Sequence, residues 1–323
     1  MTELEVPKPG LQHLPISFFA IVMGVAGLAI ATEKLEAMYS MGNAASLAVT
    51  GVAGLIWLAV FLAYVTKVLR YPDAVMAELN HPIRLSFFPT STIGLLLISI
   101  ALLNVLPLAA QVLWWMGMVG QLVFTLVILD RWFHKEHFKL EHNSPAWFIP
   151  IVGNILVPVA GSEFGYIEIS YFFFAGGIIF WLPLLAVSLN RAFFFAPIPK
   201  KLLPTLFIMI APPAVGFISW TKLHDGALDD TGVILFFAAM AFLLMLISQA
   251  KRFIGLPFAL PWWAFTFPIA AADIAVFVFY SKIPQLHYQV LGVSLYLVPA
   301  ALFTYLLVKT AIETYRKSLL MPE

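Results

Sequence analysis

Long runs of uncharged apolar residues, separated by short basic or Pro/Gly-rich breaks, leave this chain few ways to fold. A helix needs ~20 mostly apolar residues to cross the ~30 Å hydrocarbon layer of a bilayer. Ten runs approach or meet that length, near 15–31, 44–65, 83–103, 107–129, 146–160, 166–189, 203–221, 231–250, 259–280 and 288–308, the first and fifth being short. Composition agrees: 62% of the 323 residues are hydrophobic and 11% are charged. Soluble domains run at about 45–50% apolar and about 25% charged, and lipid, unlike water, solvates the excess. The 29 Phe and 9 Trp fit rings that anchor the headgroup boundary.

The same inventory excludes several functions. A net charge of +1 provides no concentrated basic surface for nucleic acid. Without cysteine there are no disulfides, thiolate metal sites or cysteine nucleophiles. No HExxH, P-loop or GxSxG motif occurs, so neither an enzyme nor a cofactor is expected. The first fifteen residues carry Glu3, Glu5 and Lys8 and lack a basic n-region and a small-residue cleavage site. The first apolar segment is therefore expected to be retained rather than cleaved.

Loop charge predicts orientation. With the N-terminus inside, the inside set is Lys8, Lys67, Arg70, Arg84, Arg131, Lys135, Lys139, Arg191, Lys200, Lys201, Lys251, Arg252, Lys309, Arg316 and Lys317. The outside set is Lys34, Lys222 and Lys282. A split of 15 to 3 that holds loop after loop predicts an even number of spans and cytoplasmic termini, with an inner (plasma) membrane as the expected location. The whole of 1–323 is expected to form one transmembrane domain.

Odd-numbered spans begin near 15, 83, 146, 203 and 259, as in five helical hairpins in series. Odd spans carry interior breakers: Pro89, Pro150, Pro158, Pro212, Pro213 and Pro268, with Gly24 and Gly27 in the first. Even spans are longer and more uniformly apolar, although Pro183 and Pro299 are exceptions. Proline frees a carbonyl, which a membrane tolerates only where protein or water can satisfy it. The expected fold is thus all-α, with odd helices ringing a central pore and even helices facing lipid.

Small and hydroxylated residues support that ring: Ala20, Gly24 and Gly27; Ser86 and Thr90; Gly153 and Asn154; Ala211, Ala214 and Gly216. Such stripes serve close helix packing as readily as a pore wall. Their recurrence on alternate helices favours a lumen.

The segment Leu260-Pro261-Trp262-Trp263-Ala264-Phe265-Thr266-Phe267-Pro268 is the most distinctive in the chain. It resembles the ninth helix of the bacterial tellurite-resistance protein A and plant guard-cell slow anion channel family, also called the tellurite-resistance/dicarboxylate transporter family. His81-Pro82-Ile83-Arg84-Leu85-Ser86-Phe87, Gly120-Gln121-Leu122, Ile149-Pro150-Ile151-Val152-Gly153-Asn154 and Ala211-Pro212 extend the resemblance along nearly the whole chain. Ser17-Phe18-Phe19-Ala20 departs from it, standing where a Gly-Tyr-Phe-Gly run is common. The resemblance implies five hairpins around a pore, a homotrimer with one pore per subunit, permeation of small anions, and occlusion by Phe267. Independently, Phe267 lies ~12 Å past Ala259 at ~1.5 Å per residue, near mid-membrane. Its helical neighbours Ala264, Ala270 and Ala271 would leave a narrow lumen for its ring.

Among the polar residues, Asp273 is the clearest intramembrane charge, either bonded to neighbouring helices or a proton site. It lies about 120° around the helix from Phe267 and should miss the same strip. Gln121 and Gln249 are expected to bond between helices. Arg84 could draw anions to the cytoplasmic mouth or snorkel to headgroups. His134, Glu136, His137, Glu141 and His142 have ligand-like spacing, but a solvated loop is the preferred reading and no metal is expected. A passive channel for chloride, nitrate or similar anions is the leading expectation. The alternative is a proton-coupled transporter of dicarboxylate, sulfite or tellurite-type oxyanions.

Overall fold

The computed structural model describes residues 10–136, 138–316 and 318–321. Glu3, Glu5, Lys8, His137 and Lys317 lie outside them. The described residues form α1 (Ile16–Met38), α2 (Ala44–Arg70), a short α3 (Pro72–Leu79), α4 (Arg84–Leu102), α5 (Pro107–His134) and α6 (Pro145–Gly161). There follow α7 (Ile167–Phe194), α8 (Lys200–Leu223), α9 (Asp230–Ser248), α10 (Leu260–Lys282) and α11 (Leu286–Tyr315).

Nine of these helices are long and apolar enough to cross a bilayer. The tenth expected span, α6, falls short of that criterion. Its first turn, Pro145–Phe148, is 3₁₀, which rises ~2.0 Å per residue against ~1.5 Å in an α-helix. The extra rise stretches α6 to ~27 Å, close to the hydrocarbon thickness.

Neighbouring helices pair as α1·α2, α4·α5, α6·α7, α8·α9 and α10·α11, the five hairpins. The first member of each also packs on the next, α1 on α4, α4 on α6, α6 on α8, α8 on α10, and α10 back on α1. The result is a closed inner ring of five. Burial separates the layers: 78–89% of the apolar windows of α1, α4, α8 and α10 is buried, against 22–33% in α2, α5, α7, α9 and α11. Every residue of α6 is buried.

Proline explains the local form of the inner helices. Each begins with 3₁₀ turns and passes into α-helix, at Phe19, Thr90, Ile149, Ala211 and Thr266. A proline cannot donate to the carbonyl four residues back, so the preceding N–H takes that carbonyl in an i→i+3 bond. Phe88 N bonds Leu85 O before Pro89, Ile149 N bonds Ala146 O before Pro150, and Ala211 N bonds Ile208 O before Pro212. Within α6, Val157 N bonds Asn154 O before Pro158. Pro213 adjoins Pro212 in the first α-turn of α8, and Pro268 sits in the first α-turn of α10.

Buried polar contacts bind the two layers. Gln121 on α5 donates to Pro150 O of α6 (2.7 Å) and accepts from Thr92 of α4 (2.8 Å). Gln249 differs from expectation: it follows the end of α9 and donates to Met245 O of the same helix. At one end of the ring, Lys67 of α2 and Glu78 of α3 form a buried ion pair at 2.7 Å. At the other end, Asp229 caps α9 by accepting from Gly232 N (2.9 Å) and the Trp220 indole (2.8 Å). These bonds, Gly232 foremost, hold its carboxyl below the usual carboxylate range. The cap's contribution is present above the ordinary Asp value and is lost as pH falls through the lowered one.

Candidate functional site

Two apolar cavities lie within the inner ring, with ≈ 380 and ≈ 290 Å³ of empty space that includes their openings to solvent. Ala20 and Met23 (α1), Phe87 and Thr90 (α4), Ile149 and Val152 (α6), Ile208 and Ala211 (α8), and Trp263, Ala264, Phe267 and Pro268 (α10) line the first. The second is lined by Ile30, Leu97, Ile100, Leu156, Val159, Val215, Ile218, Phe267, Ala271 and Ile274. Phe267 belongs to both walls, and its side chain is buried.

The two sets are related by the helix period. Met23 and Ile30, Thr90 and Leu97, Ile149 and Leu156, Val152 and Val159, Ile208 and Val215, Ala211 and Ile218, and Ala264 and Ala271 are each seven residues apart. Seven residues are two turns, so each helix presents one stripe to both cavities, about 10 Å apart along the axis. Because Leu260–Phe265 is 3₁₀, Phe267 lies ~15 Å past Ala259 rather than ~12 Å, still closer to the centre of a ~30 Å core.

No Lys, Arg, Asp or Glu lines either cavity among the described residues. Thr90 contributes the one side-chain hydroxyl, and its Oγ1 donates to Phe87 O at 2.5 Å. The walls therefore present almost only carbon.

Of the residues singled out from sequence, Ala20, Thr90, Ala211, Ala264 and Pro268 line the first cavity and Ala271 the second. Others sit at helix contacts instead. Gly24 faces Trp263 and Thr266 of α10, and a Cβ on Gly27 would lie 3.1 Å from Ala270 Cβ and 3.4 Å from the Phe267 ring. These glycines bring α1 and α10 together, and Gly27 leaves the space beside that ring. Gly153 abuts the Gln121 amide, and Asn154 donates to Thr125 of α5 (2.9 Å), so both point to the outer layer. Ser86 and Ala214 are fully buried and line neither cavity, and Ser86 Oγ has no partner among the described residues. Arg84 opens the 3₁₀ turn of α4 and is half-buried. Among the described residues no group of three or more His, Asp or Glu could hold a metal.

The larger lining residues Met23, Ile149, Val152 and Ile208 escaped sequence reasoning, since an apolar wall and an apolar core use the same side chains. Seven-residue spacing from Thr90 and Ala211 would have found Leu97 and Ile218.

Asp273 corrects one expectation. It is fully buried, yet neither carboxylate oxygen has a hydrogen-bond partner among the described residues. One turn before it Ala270 meets Gly27 of α1, and one turn after it Phe277 meets Gly292 of α11. It therefore lies at a helix junction beside the ring, off the two cavity walls. Removing an unsatisfied buried polar group recovers about 1–3 kcal/mol. Asp273→Ala is accordingly expected to raise the melting temperature in detergent by about 2–5 °C. A fall in melting temperature, followed by tryptophan fluorescence, would mean that the carboxyl stabilises the fold.

Comparison with known proteins adds identity. Residues 13–311 match the family described as voltage-dependent anion channel (SLAC1). An uncharacterised transporter of Methanocaldococcus jannaschii is 26% identical over 94% of this chain and 96% of its own. The tellurite resistance protein TehA homolog of Haemophilus influenzae is 29% identical over 86% of this chain and 84% of its own. The guard cell S-type anion channel SLAC1 of Arabidopsis thaliana is 24% identical over 97% of this chain and 58% of its own. With a family match from residue 13 to residue 311 laid over a ring of membrane helices, this multi-pass membrane protein belongs to the SLAC1 voltage-dependent anion channel family.

Proposed function

We propose that this protein is a passive channel for small anions of the chloride and nitrate class, gated by Phe267. The observation that carries the proposal is that Phe267, alone among the lining residues, borders both cavities of the inner ring. An apolar constriction blocks ions sterically and by dewetting. Walls without fixed cations bind anions weakly, which favours throughput and ranks ions by dehydration cost, so nitrate should pass more easily than chloride. In this reading the basic end faces the cytoplasm of a bacterial cell, the protein sits in the inner membrane, and three subunits assemble, each with its own pore.

Purified protein in liposomes tests this by chloride and nitrate efflux at clamped voltage, with and without a pH gradient. The expected result is flux that needs no proton gradient, with nitrate ahead of chloride. The unpartnered carboxyl of Asp273 favours a second reading, a proton-coupled transporter of dicarboxylate, sulfite or tellurite-type oxyanions. Flux that requires the proton gradient and disappears in Asp273→Asn would replace the first reading with the second. Absence of flux under every condition would sink both.

A further inference from the structure

We propose a second anion site, outside the pore, that takes a phosphate-type oxyanion between the loop preceding α6 and the end of α7. Asn143 and Ser144 are 2% and 3% exposed, and Ser188 and Arg191 of α7 are 6% and 7% exposed. Ser188 Oγ donates to Asn143 Oδ1 at 3.0 Å, tying loop to helix. That bond occupies the acceptor end of the Asn143 amide and leaves its donor end unused. Asn143 Nδ2, Ser144 Oγ and Arg191 Nε are all buried and without a hydrogen-bond partner among the described residues.

The sequence spacing gathers these groups. Asn143 and Ser144 are consecutive, and Ser188 and Arg191, three residues apart, share one helix face. Nearby, Trp132 of α5 stacks on Trp147 of α6 at 4.8 Å, and the Trp132 indole N–H also lacks a partner. Every unused group can donate a hydrogen bond, and one belongs to a guanidinium. Arg191 forms no ion pair among the described residues. A buried guanidinium N–H without an acceptor is unfavourable, and buried polar atoms left unpaired point to a missing water or ion. A tetrahedral oxyanion supplies several acceptors at once and matches guanidinium geometry, as a carbon-lined pore wall does not.

The position fits a phosphate at the membrane boundary. Phe193, Phe194 and Phe195, just beyond Arg191, are 71%, 76% and 43% exposed, as expected for rings at headgroup level. A phospholipid headgroup and a free phosphate share the chemistry the site requires. None of these residues lines either cavity, so the site stands or falls independently of Phe267.

The test follows melting by tryptophan fluorescence in uncharged maltoside micelles. One arm titrates inorganic phosphate against chloride at equal ionic strength. The other adds dioleoyl phosphatidylglycerol against dioleoylglycerol. A rise of about 2–5 °C is expected in at least one arm, with a response to phosphate identifying a soluble oxyanion and a response to lipid alone identifying a headgroup. Arg191→Gln should abolish the rise. Asn143→Asp places a carboxylate oxygen where the unused amide donor stood, and should raise the resting melting temperature while removing the response. It carries the test if Arg191→Gln does not accumulate. The proposal is overturned if neither arm shifts the wild type, or if the shift persists in the variants.

Discussion

Replacing Phe267 with alanine is expected to raise passive anion flux at least about tenfold, equivalent to lowering the barrier by about 1.4 kcal/mol. Phe267 borders both cavities, and its stripe neighbours on α10, Ala264 and Ala271, are too small to take its place. Beside it, at the contact of α1 with α10, Gly27 has no side chain to take up the vacated space. Truncation would join the cavities into one lumen wide enough to stay wet, removing steric and dewetting barriers together. Stability provides the control. A Phe→Ala change in a filled core costs about 3–5 kcal/mol, but a ring bordering empty volume on two sides makes fewer contacts and should cost less. Chloride efflux from liposomes and melting in detergent, measured on the same preparation, separate gate from packing. A large loss of stability with unchanged flux would make Phe267 a core residue.

Glu78→Ala is expected to give the largest loss of stability, about 3–5 kcal/mol, or a fall in melting temperature on the order of 10 °C. Glu78 Oε2 accepts from Lys67 Nζ at 2.7 Å and Tyr64 OH at 2.8 Å, and its Oε1 accepts from Ile16 N at 3.1 Å. Lys67 also donates to Leu14 O at 2.8 Å. With Lys67 1% and Glu78 2% exposed, removing the carboxylate leaves a cation in the interior with one carbonyl and the face of Tyr64, 5.3 Å away. The double variant Lys67→Met/Glu78→Leu removes both charges and should recover most of the loss. Equal melting of Glu78→Ala and wild type would show that water reaches this pair.

The layer order was legible in the sequence because proline has a physical consequence that does not depend on partners. Pro89, Pro150, Pro158, Pro212 and Pro268 all lie on the inner ring, where the first four hand a carbonyl to the preceding N–H, although Pro183 and Pro299 fall inside the outer helices α7 and α11. Small residues were less informative. Thr90 and Ala264 reach a cavity while Gly153 and Asn154 turn to α5, because a missing side chain suits a neighbouring helix as well as a void. The Lys67–Glu78 pair could not be read at all. Lys67 looked like an ordinary basic loop residue, and only the return of α3 against the entry of α1 encloses it. Asp273 was visible as a charge, but its lack of partners is a fact of three-dimensional packing.

The 3₁₀ turns that open the inner helices also give them a mechanical property. A 3₁₀ residue advances the chain about 120° around the axis and an α residue about 100°. Each residue of Leu260–Phe265 that rewound into α-helix would turn everything beyond it by about 20° and draw it in by about 0.5 Å. Two such residues would swing Phe267 through about 40° with no hinge and no broken helix. The helix that carries the ring is built as a screw, and a short stretch of its thread is enough to set the angle of the ring.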